Sequence, residues 1–255
     1  MDRAVAPAKR EAALVTGGAS GIGRAIVRRL AQDGADVVVV DVDEVGARRA
    51  AEEVGGTPVA ADVAEPGAWT AIAARLERLD VACLNAGVVT GTPLLADVSD
   101  EDYRRVLGVN VDGVVLGVRA LAPLLEGGGR IVVTASLAGL TAVPSDPLYA
   151  GTKHFLVGFV RSVAPQLAER GIAINAVCPG IVDTPLLGDG RARLEAAGFP
   201  LLDPDDVAEA VATALADGGT GQAWTCQPGS VAELYRFRGV PGPRVPGGEG
   251  VTPPL

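Results

Sequence analysis

Short apolar runs rich in β-branched residues recur along this chain, each followed by a longer amphipathic stretch. Runs such as VVVV at 37–40 and IVV at 131–133 lack in–out alternation, as do strands covered on both faces of a parallel sheet. Strands are expected at Ala12–Thr16, Asp36–Val40, Thr57–Ala60, Val81–Leu84, Arg130–Thr134, Ile172–Val177 and Ala223–Cys226. Helices are expected at Gly21–Asp33, Glu44–Val54, Gly67–Leu79, Ser99–Leu125, Tyr149–Glu169 and Pro204–Ala216, with Pro165 kinking or dividing the fifth. Regular alternation over 255 residues argues for one doubly wound α/β domain, spanning 1–238. Two stretches break the rhythm. Residues 184–203 exceed an ordinary connection, and the part at about 185–202 is read as a lid over a site. From Gly239 to Leu255, ten of seventeen residues are Gly or Pro, which predicts an extended tail.

Composition narrows the function classes. A net charge of −9 argues against a nucleic-acid partner, since phosphate neutralisation needs an excess of Lys and Arg. With one histidine (His154) and three scattered cysteines (Cys83, Cys178, Cys226), the chain has no zinc-ligand spacing and no metal is expected. His154 and Cys178 are read as packing residues. The sparse, odd cysteine count fits a reducing compartment. No signal-peptide core is visible, and no apolar run approaches the ~18 residues that span a bilayer. A cytoplasmic protein without a membrane partner is the expectation.

The first strand runs into Thr16-Gly17-Gly18-Ala19-Ser20-Gly21-Ile22-Gly23 and then a helix. Glycines at 17, 21 and 23 permit a tight turn, close approach to a pyrophosphate, and close helix–strand packing. The helix start offers free N–H groups to phosphate. Asp41 ends the second strand, 24 residues after Gly17, where a carboxylate accepts hydrogen bonds from an adenosine ribose and repels a 2′-phosphate. Neither Ser20 nor Val42 is basic, so NAD is expected over NADP.

Farther along, Ser136 follows the fifth strand and Tyr149 precedes Lys153 by one helical turn. A free phenol titrates near ~10, and a nearby Lys⁺ is expected to lower that value toward neutrality. Tyr149 then exchanges a proton with an alcohol or carbonyl, while Ser136 holds the same oxygen.

Together these motifs resemble the short-chain dehydrogenase/reductase family from about residue 11 to 230. TGGASGIG at 16–23 is similar to its glycine loop, and Asn85-Ala86-Gly87 to its NAG motif. Asn110, Ser136, Tyr149 and Lys153 are similar to its catalytic tetrad, and Pro179-Gly180 with Thr184 to its PG-x-x-x-T segment. The resemblance implies a Rossmann fold with a seven-stranded parallel sheet and hydride transfer to and from nicotinamide. It further implies that Lys153 binds the nicotinamide ribose and that Asn110 holds a water in a proton relay. Asp62 and Val63 would lie beside adenine. Gly17, Ser20, Gly21, Ile22, Gly23, Asn85, Ala86 and Gly87 would line the cofactor cleft, with Pro179, Gly180, Ile181 and Thr184 near the carboxamide. A homodimer or homotetramer built through the helices at 99–125 and 149–169 is also implied.

Segments 136–162, 174–187 and 201–215 are similar to the 15-hydroxyprostaglandin dehydrogenase branch. That branch has a substrate-contacting Gln three residues before the tyrosine, where this chain has Asp146. Substrate contacts are expected from Ser136, Leu137, Asp146, Tyr149 and Leu186, in a pocket made mostly apolar by Leu137, Leu140, Val143, Leu186 and Leu187. Arg191 and Arg193 in the lid are read as solvated charges. The expected activity is NAD-dependent interconversion of a secondary alcohol and a ketone on a hydrophobic small molecule. The alternatives are an NAD(P)H-dependent ketone or 3-oxoacyl reductase and, more remotely, a catalytically silent dinucleotide sensor.

Overall fold

The computed structural model describes residues 10–92 and 94–239. The tail expected from Gly239 to Leu255 lies outside the described residues except for its first glycine, as do residues 1–9. Strands β1 (Ala12–Thr16), β2 (Asp36–Asp41), β3 (Thr57–Ala60), β4 (Val81–Leu84), β5 (Arg130–Thr134), β6 (Ala173–Pro179) and β7 (Ala223–Cys226) pair in parallel in the order β3-β2-β1-β4-β5-β6-β7. A two-residue strand, β8 (Glu233–Leu234), adds an antiparallel eighth member at the β7 edge. The parallel strands match the sequence expectation, whereas β8 is too short to show a periodic signal.

Helices α1 (Gly21–Gln32), α2 (Glu44–Val54) and α8 (Pro204–Ala216) cover one face of the sheet, where Ile26, Ala50 and Val211 pack against Val15 and Val39. The other face carries α3 (Pro66–Ala73), α4 (Asp100–Leu107), α5 (Gly113–Leu121) and α6 (Pro147–Ala168). There Trp69, Val118 and Leu156 pack against Leu14, Leu84 and Ile131. Burial on both faces explains why the strands read as unbroken apolar runs.

Three elements differ from the sequence reading. The helix expected over 67–79 stops at Ala73, and Leu79 is buried in irregular backbone as the chain turns toward β4. The helix expected over 99–125 comprises α4, a wider π-turn at Gly108–Asp112, α5, and a tight turn at Ala122–Leu124. By length and composition, Asp100–Leu124 passes for a membrane span, yet half of that stretch is buried inside the protein. Its apolar residues Val114, Val118 and Leu121 belong to the core beneath the sheet. Third, α6 runs unbroken through Pro165. The proline sits in the last turn, so any bend it favours displaces only the final residues of the helix.

Sheet order reverses between β1 and β4, so the loops after these strands splay apart at their carboxyl ends. A crevice opens there, as it does at the switch point of any doubly wound sheet.

Candidate active site

Three strand ends are stitched together at the floor of this crevice. The Thr16 hydroxyl at the end of β1 accepts hydrogen bonds from the backbone N–H groups of Asn85 (2.9 Å) and Ala86 (3.1 Å). The Asn85 amide donates to the Thr16 carbonyl at 3.1 Å and accepts from the Thr134 hydroxyl at 3.1 Å. Asn85-Ala86-Gly87 is thereby locked against the glycine loop. Gly17 has φ +66°, and a Cβ there would fall 2.9 Å from the Ala86 Cα. At Gly23 a Cβ would fall 1.9 Å from the Gly17 carbonyl oxygen. Only glycine lets the loop and helix close this tightly.

The start of α1 is open. Ser20 is its N-cap but makes no side-chain cap bond, and no acidic residue sits in the first turn, which contains Gly21, Ile22 and Gly23. Free N–H groups at a positive dipole end suit an anion. Asp41 lies at the end of β2, accepting from the backbone N–H of Ala19 at 3.0 Å and of Asp43 at 3.0 Å. These bonds hold the carboxylate against the glycine loop. Asp62 is exposed and accepts from the Ala64 N–H at 2.9 Å, while Val63 beside it is buried. The cradle formed by Gly17, Gly23 and the uncapped helix start fits a dinucleotide pyrophosphate.

Across the crevice, β6 ends at Pro179. Gly180 donates its N–H to the Cys226 carbonyl at 2.9 Å, Ile181 is exposed, and Thr184 comes within contact distance of Gly21. The expected lid contains a tight turn at Pro185–Leu187 and a short helix, α7 (Gly190–Ala196). Its base is pinned by a bridge between Val182 and Leu202. Arg191 is spent on Asp183, with two bonds of 2.6 and 2.7 Å. Leu186 is exposed on the lid, and Leu137 packs near Gly180 on the opposite side.

The tetrad residues meet at the switch-point crevice. Ser136 adopts an extended conformation after β5, and its hydroxyl accepts from the Ala138 N–H at 3.1 Å and lies near enough to the Tyr149 phenol to favour its ionised form. Lys153 is 3% exposed; its Nζ donates to the Thr134 carbonyl at 2.9 Å and lies 5.5 Å from the centroid of the Tyr149 ring. Gly87 adjoins both Lys153 and Asn110. Burial lowers the lysine to about 8. It also pushes the Tyr149 phenol above its ordinary value; the Ser136 hydrogen bond opposes that rise and the Asp146 carboxylate adds to it. A lysine one helical turn from Tyr149 predicts a lowered phenol, but in the folded chain loss of hydration dominates. Cys178, buried beneath Lys153, is pushed up to about 12 by the same loss of water.

Asn110 is fully buried and occupies the π-turn. Its Oδ1 accepts from the Val88 N–H at 2.8 Å, and its Nδ2 donates to the Val88 carbonyl at 2.9 Å and to the Thr152 hydroxyl at 3.0 Å. Thr152 in turn donates to the Tyr149 carbonyl at 2.7 Å. Asp146 caps α6 with one carboxylate oxygen, accepting from the Tyr149 N–H at 3.0 Å. Its other oxygen accepts from the Thr90 N–H at 2.9 Å. The backbone of Tyr149 is therefore held at both its N–H and its C=O. Thr16, Thr90, Thr134 and Thr152 were not singled out by sequence, because one threonine in a motif looks like any other. His154, expected to pack, is instead exposed, and its Nδ1 pairs with the Ala150 carbonyl of its own helix.

Comparison with known proteins agrees with this geometry. The family model described as short chain dehydrogenase matches residues 11–195. The chain is 36% identical over 220 residues to a cyclohexanol dehydrogenase of Acinetobacter sp. (strain SE19), covering 80% of this chain and 87% of that one. It is 37% identical over 192 residues to a 3beta-hydroxysteroid dehydrogenase of Mediterraneibacter gnavus, covering 71% and 70%. Among solved structures, a 3-ketoacyl-(acyl-carrier-protein) reductase from Brucella melitensis complexed with NADH superposes with a TM-score of 0.77 at 32% identity, covering 86% of this chain and 97% of that one. The chain belongs to the short-chain dehydrogenase family of oxidoreductases, whose cofactor is a nicotinamide dinucleotide.

Proposed function

We propose that this chain is an NAD-dependent dehydrogenase that interconverts a secondary alcohol and a ketone on a hydrophobic small molecule. The observation that carries the reading is the grouping of the Tyr149 phenol, the Ser136 hydroxyl and the buried Lys153 beside Gly87 at the switch-point crevice. A bound dinucleotide would lie along Gly17, Ser20, Gly21, Ile22 and Gly23, with Asp41 at the adenosine ribose and Asp62 and Val63 near adenine. Asn85, Ala86, Gly87, Pro179, Gly180, Ile181 and Thr184 would hold the nicotinamide end. When bound, it supplies the acceptor for the hydride that the alcohol carbon releases.

In the oxidative direction Tyr149 removes the alcohol proton at its phenolic oxygen. Ser136 donates a hydrogen bond to the substrate oxygen as charge develops there. Lys153, fixed by the Thr134 carbonyl, contributes positive charge beside the phenol ring, and it would grip the nicotinamide ribose of a bound dinucleotide. Asn110 fixes the loop facing this group through Val88, and it would hold the relay water that the family resemblance implies. In reduction Tyr149 returns the proton to the carbonyl oxygen.

Asp41 supports NAD, because its carboxylate would repel a 2′-phosphate. The exposed Leu186 and Ile181 and the half-buried Leu137 and Leu140 support an apolar substrate. The names of the cyclohexanol and hydroxysteroid relatives agree with that class. Likeness to the NADH-bound reductase favours a second reading, a 3-oxoacyl reductase. The chain is also read as a cytoplasmic homodimer or homotetramer. An apolar groove of about 410 Å³ lined by Leu95, Leu107, Val111, Leu148 and Phe155 along α4 and α6 supports association through those helices.

A panel of cyclic, terpenoid and steroid alcohols, ketones and 3-oxoacyl thioesters, offered with NAD(H) and NADP(H), tests the reading by nicotinamide absorbance. We expect turnover of apolar secondary alcohols with NAD⁺, abolished in Tyr149→Phe with dinucleotide binding intact. A wild-type protein that binds NAD⁺ tightly yet turns over nothing in the panel is a sensor rather than an enzyme.

A further inference from the structure

We propose that Asp146 is a positioning residue for Tyr149, tying the backbone of the catalytic helix to the 88–92 wall of the crevice with a charge beside the phenol. The proposal rests on the reading of Tyr149 as the proton-transfer group. An N-cap needs one acceptor, and Asp146 supplies it with Oδ1, which receives the Tyr149 N–H at 3.0 Å. The second oxygen does something a cap does not require. It accepts the N–H of Thr90, 56 residues away in sequence, at 2.9 Å.

This bond closes a ring. From Tyr149 the path runs through Asp146 to the Thr90 N–H, back along the chain to Val88, and across to the Asn110 amide. It then passes to the Thr152 hydroxyl and returns to the Tyr149 carbonyl. The segment 88–90 is thus held at Val88 by the π-turn and at Thr90 by the N-terminus of α6. Arg105 of α4 adds a third tie, donating to the Val89 carbonyl at 3.0 Å. A wall fixed at successive residues leaves little freedom in the distance between substrate and phenol, and small misplacements there are costly in rate.

Asp146 also contributes charge. The groups facing the phenol are the Ser136 hydroxyl, the Lys153 ammonium on the same helix and the Asp146 carboxylate. From β6 the Cys178 thiol lies near Lys153, and from α4 Arg105 is paired with Asp102 at 3.0 Å. The carboxylate works against the phenolate, and so keeps Tyr149 in its proton-donating form to higher pH.

Two variants separate the cap from the bridge and the charge. Asp146→Ser retains a capping hydroxyl but has one oxygen only, and Asp146→Asn keeps the shape without the charge. The phenol is followed by ultraviolet difference absorbance against Tyr149→Phe, which isolates it from the other two of the three tyrosines. We expect its titration midpoint to move to lower pH in both variants. Backbone amide exchange in the 88–92 segment should accelerate, while exchange in β1 and β4 stays as in the wild type. With an alcohol identified from the panel, KM rises about tenfold in Asp146→Ser while NAD⁺ affinity is unchanged. Wild-type titration and exchange in both variants would reduce Asp146 to an ordinary cap and overturn the proposal. Absence of turnover in the wild type would instead sink the dehydrogenase reading, since titration and exchange need no substrate.

Discussion

Thr134 holds Lys153 with its carbonyl oxygen, 2.9 Å from Nζ, and holds Asn85 with its hydroxyl, 3.1 Å from Oδ1. One residue at the end of β5 therefore fixes α6 to the motif that follows β4. Among the described residues the buried ammonium has no carboxylate partner; it bonds this neutral carbonyl, and burial lowers its pKa to about 8. That cost appears in stability.

Replacing Lys153 by Met is expected to stabilise the fold while abolishing turnover. Holding a charged lysine whose value has dropped from 10.5 to about 8 costs on the order of 3 kcal/mol at neutral pH. Losing the bond to Thr134 returns about 1 kcal/mol. The balance corresponds to a Tm higher by roughly 4–8 °C. The sign follows from linkage: between about 8 and 10.5 the unfolded chain keeps the proton that the folded chain has lost, so wild-type stability rises with pH across that window. Thermal melts of both proteins at neutral and alkaline pH check this, and the gap should close as pH rises.

The pH dependence of turnover should run in opposite senses for the two directions. Oxidation requires the phenolate, and burial holds Tyr149 above the ordinary phenol value in the cofactor-free protein. kcat/KM for alcohol oxidation at saturating NAD⁺, which reports the enzyme form that takes up the alcohol, should climb about tenfold per pH unit along its acid limb. Ketone reduction requires the phenol and should fall at alkaline pH. A flat oxidation profile through the neutral and mildly alkaline range would remove Tyr149 from the proton-transfer role.

Asp41→Ala should shift cofactor preference. It removes the carboxylate that would repel a 2′-phosphate, and it strips the Ala19 N–H of its acceptor. NADP⁺ should gain and NAD⁺ should lose affinity, changing the ratio by roughly tenfold or more. Adding Val42→Arg, beside the vacated carboxylate, should enlarge the shift. Calorimetric titration with both dinucleotides gives the ratio; no change would cancel the ribose role of Asp41.

Gly23→Ala should cost both stability and cofactor. Its new methyl would meet the Gly17 carbonyl oxygen at 1.9 Å, a backbone atom that cannot swing aside as a flexible side chain could. Overpacking of this kind costs about 1–3 kcal/mol and should deform the phosphate cradle. Gly67→Ala, on α3 with nothing within 4 Å of the added methyl, is the matched control and should leave binding unchanged. Thermal melts and NAD⁺ titration of the pair distinguish local crowding from a general effect of losing glycine.

The amino-acid sequence by itself determined the strands, because uniform β-branched runs such as Val37–Val40 have one low-energy fate when helices cover both faces. It also determined the order of the motif residues. Gly17, Asp41, Ser136, Tyr149 and Lys153 carry their chemistry in their identity and spacing. It did not show that the run after Ser99 breaks into helix, π-turn and helix, since periodicity cannot separate one wider turn from its neighbours. Nor did it show that Asp146 pairs with Thr90 or that Thr152 meets Asn110; those partners lie 56 and 42 residues apart and are joined only when α6 packs beside the strand ends. The protonation tendencies were likewise set by tertiary structure. A lysine one turn from a tyrosine predicts a lowered phenol in water, and desolvation in the folded chain reverses that sign, because hydration is lost only when the chain closes around the two groups.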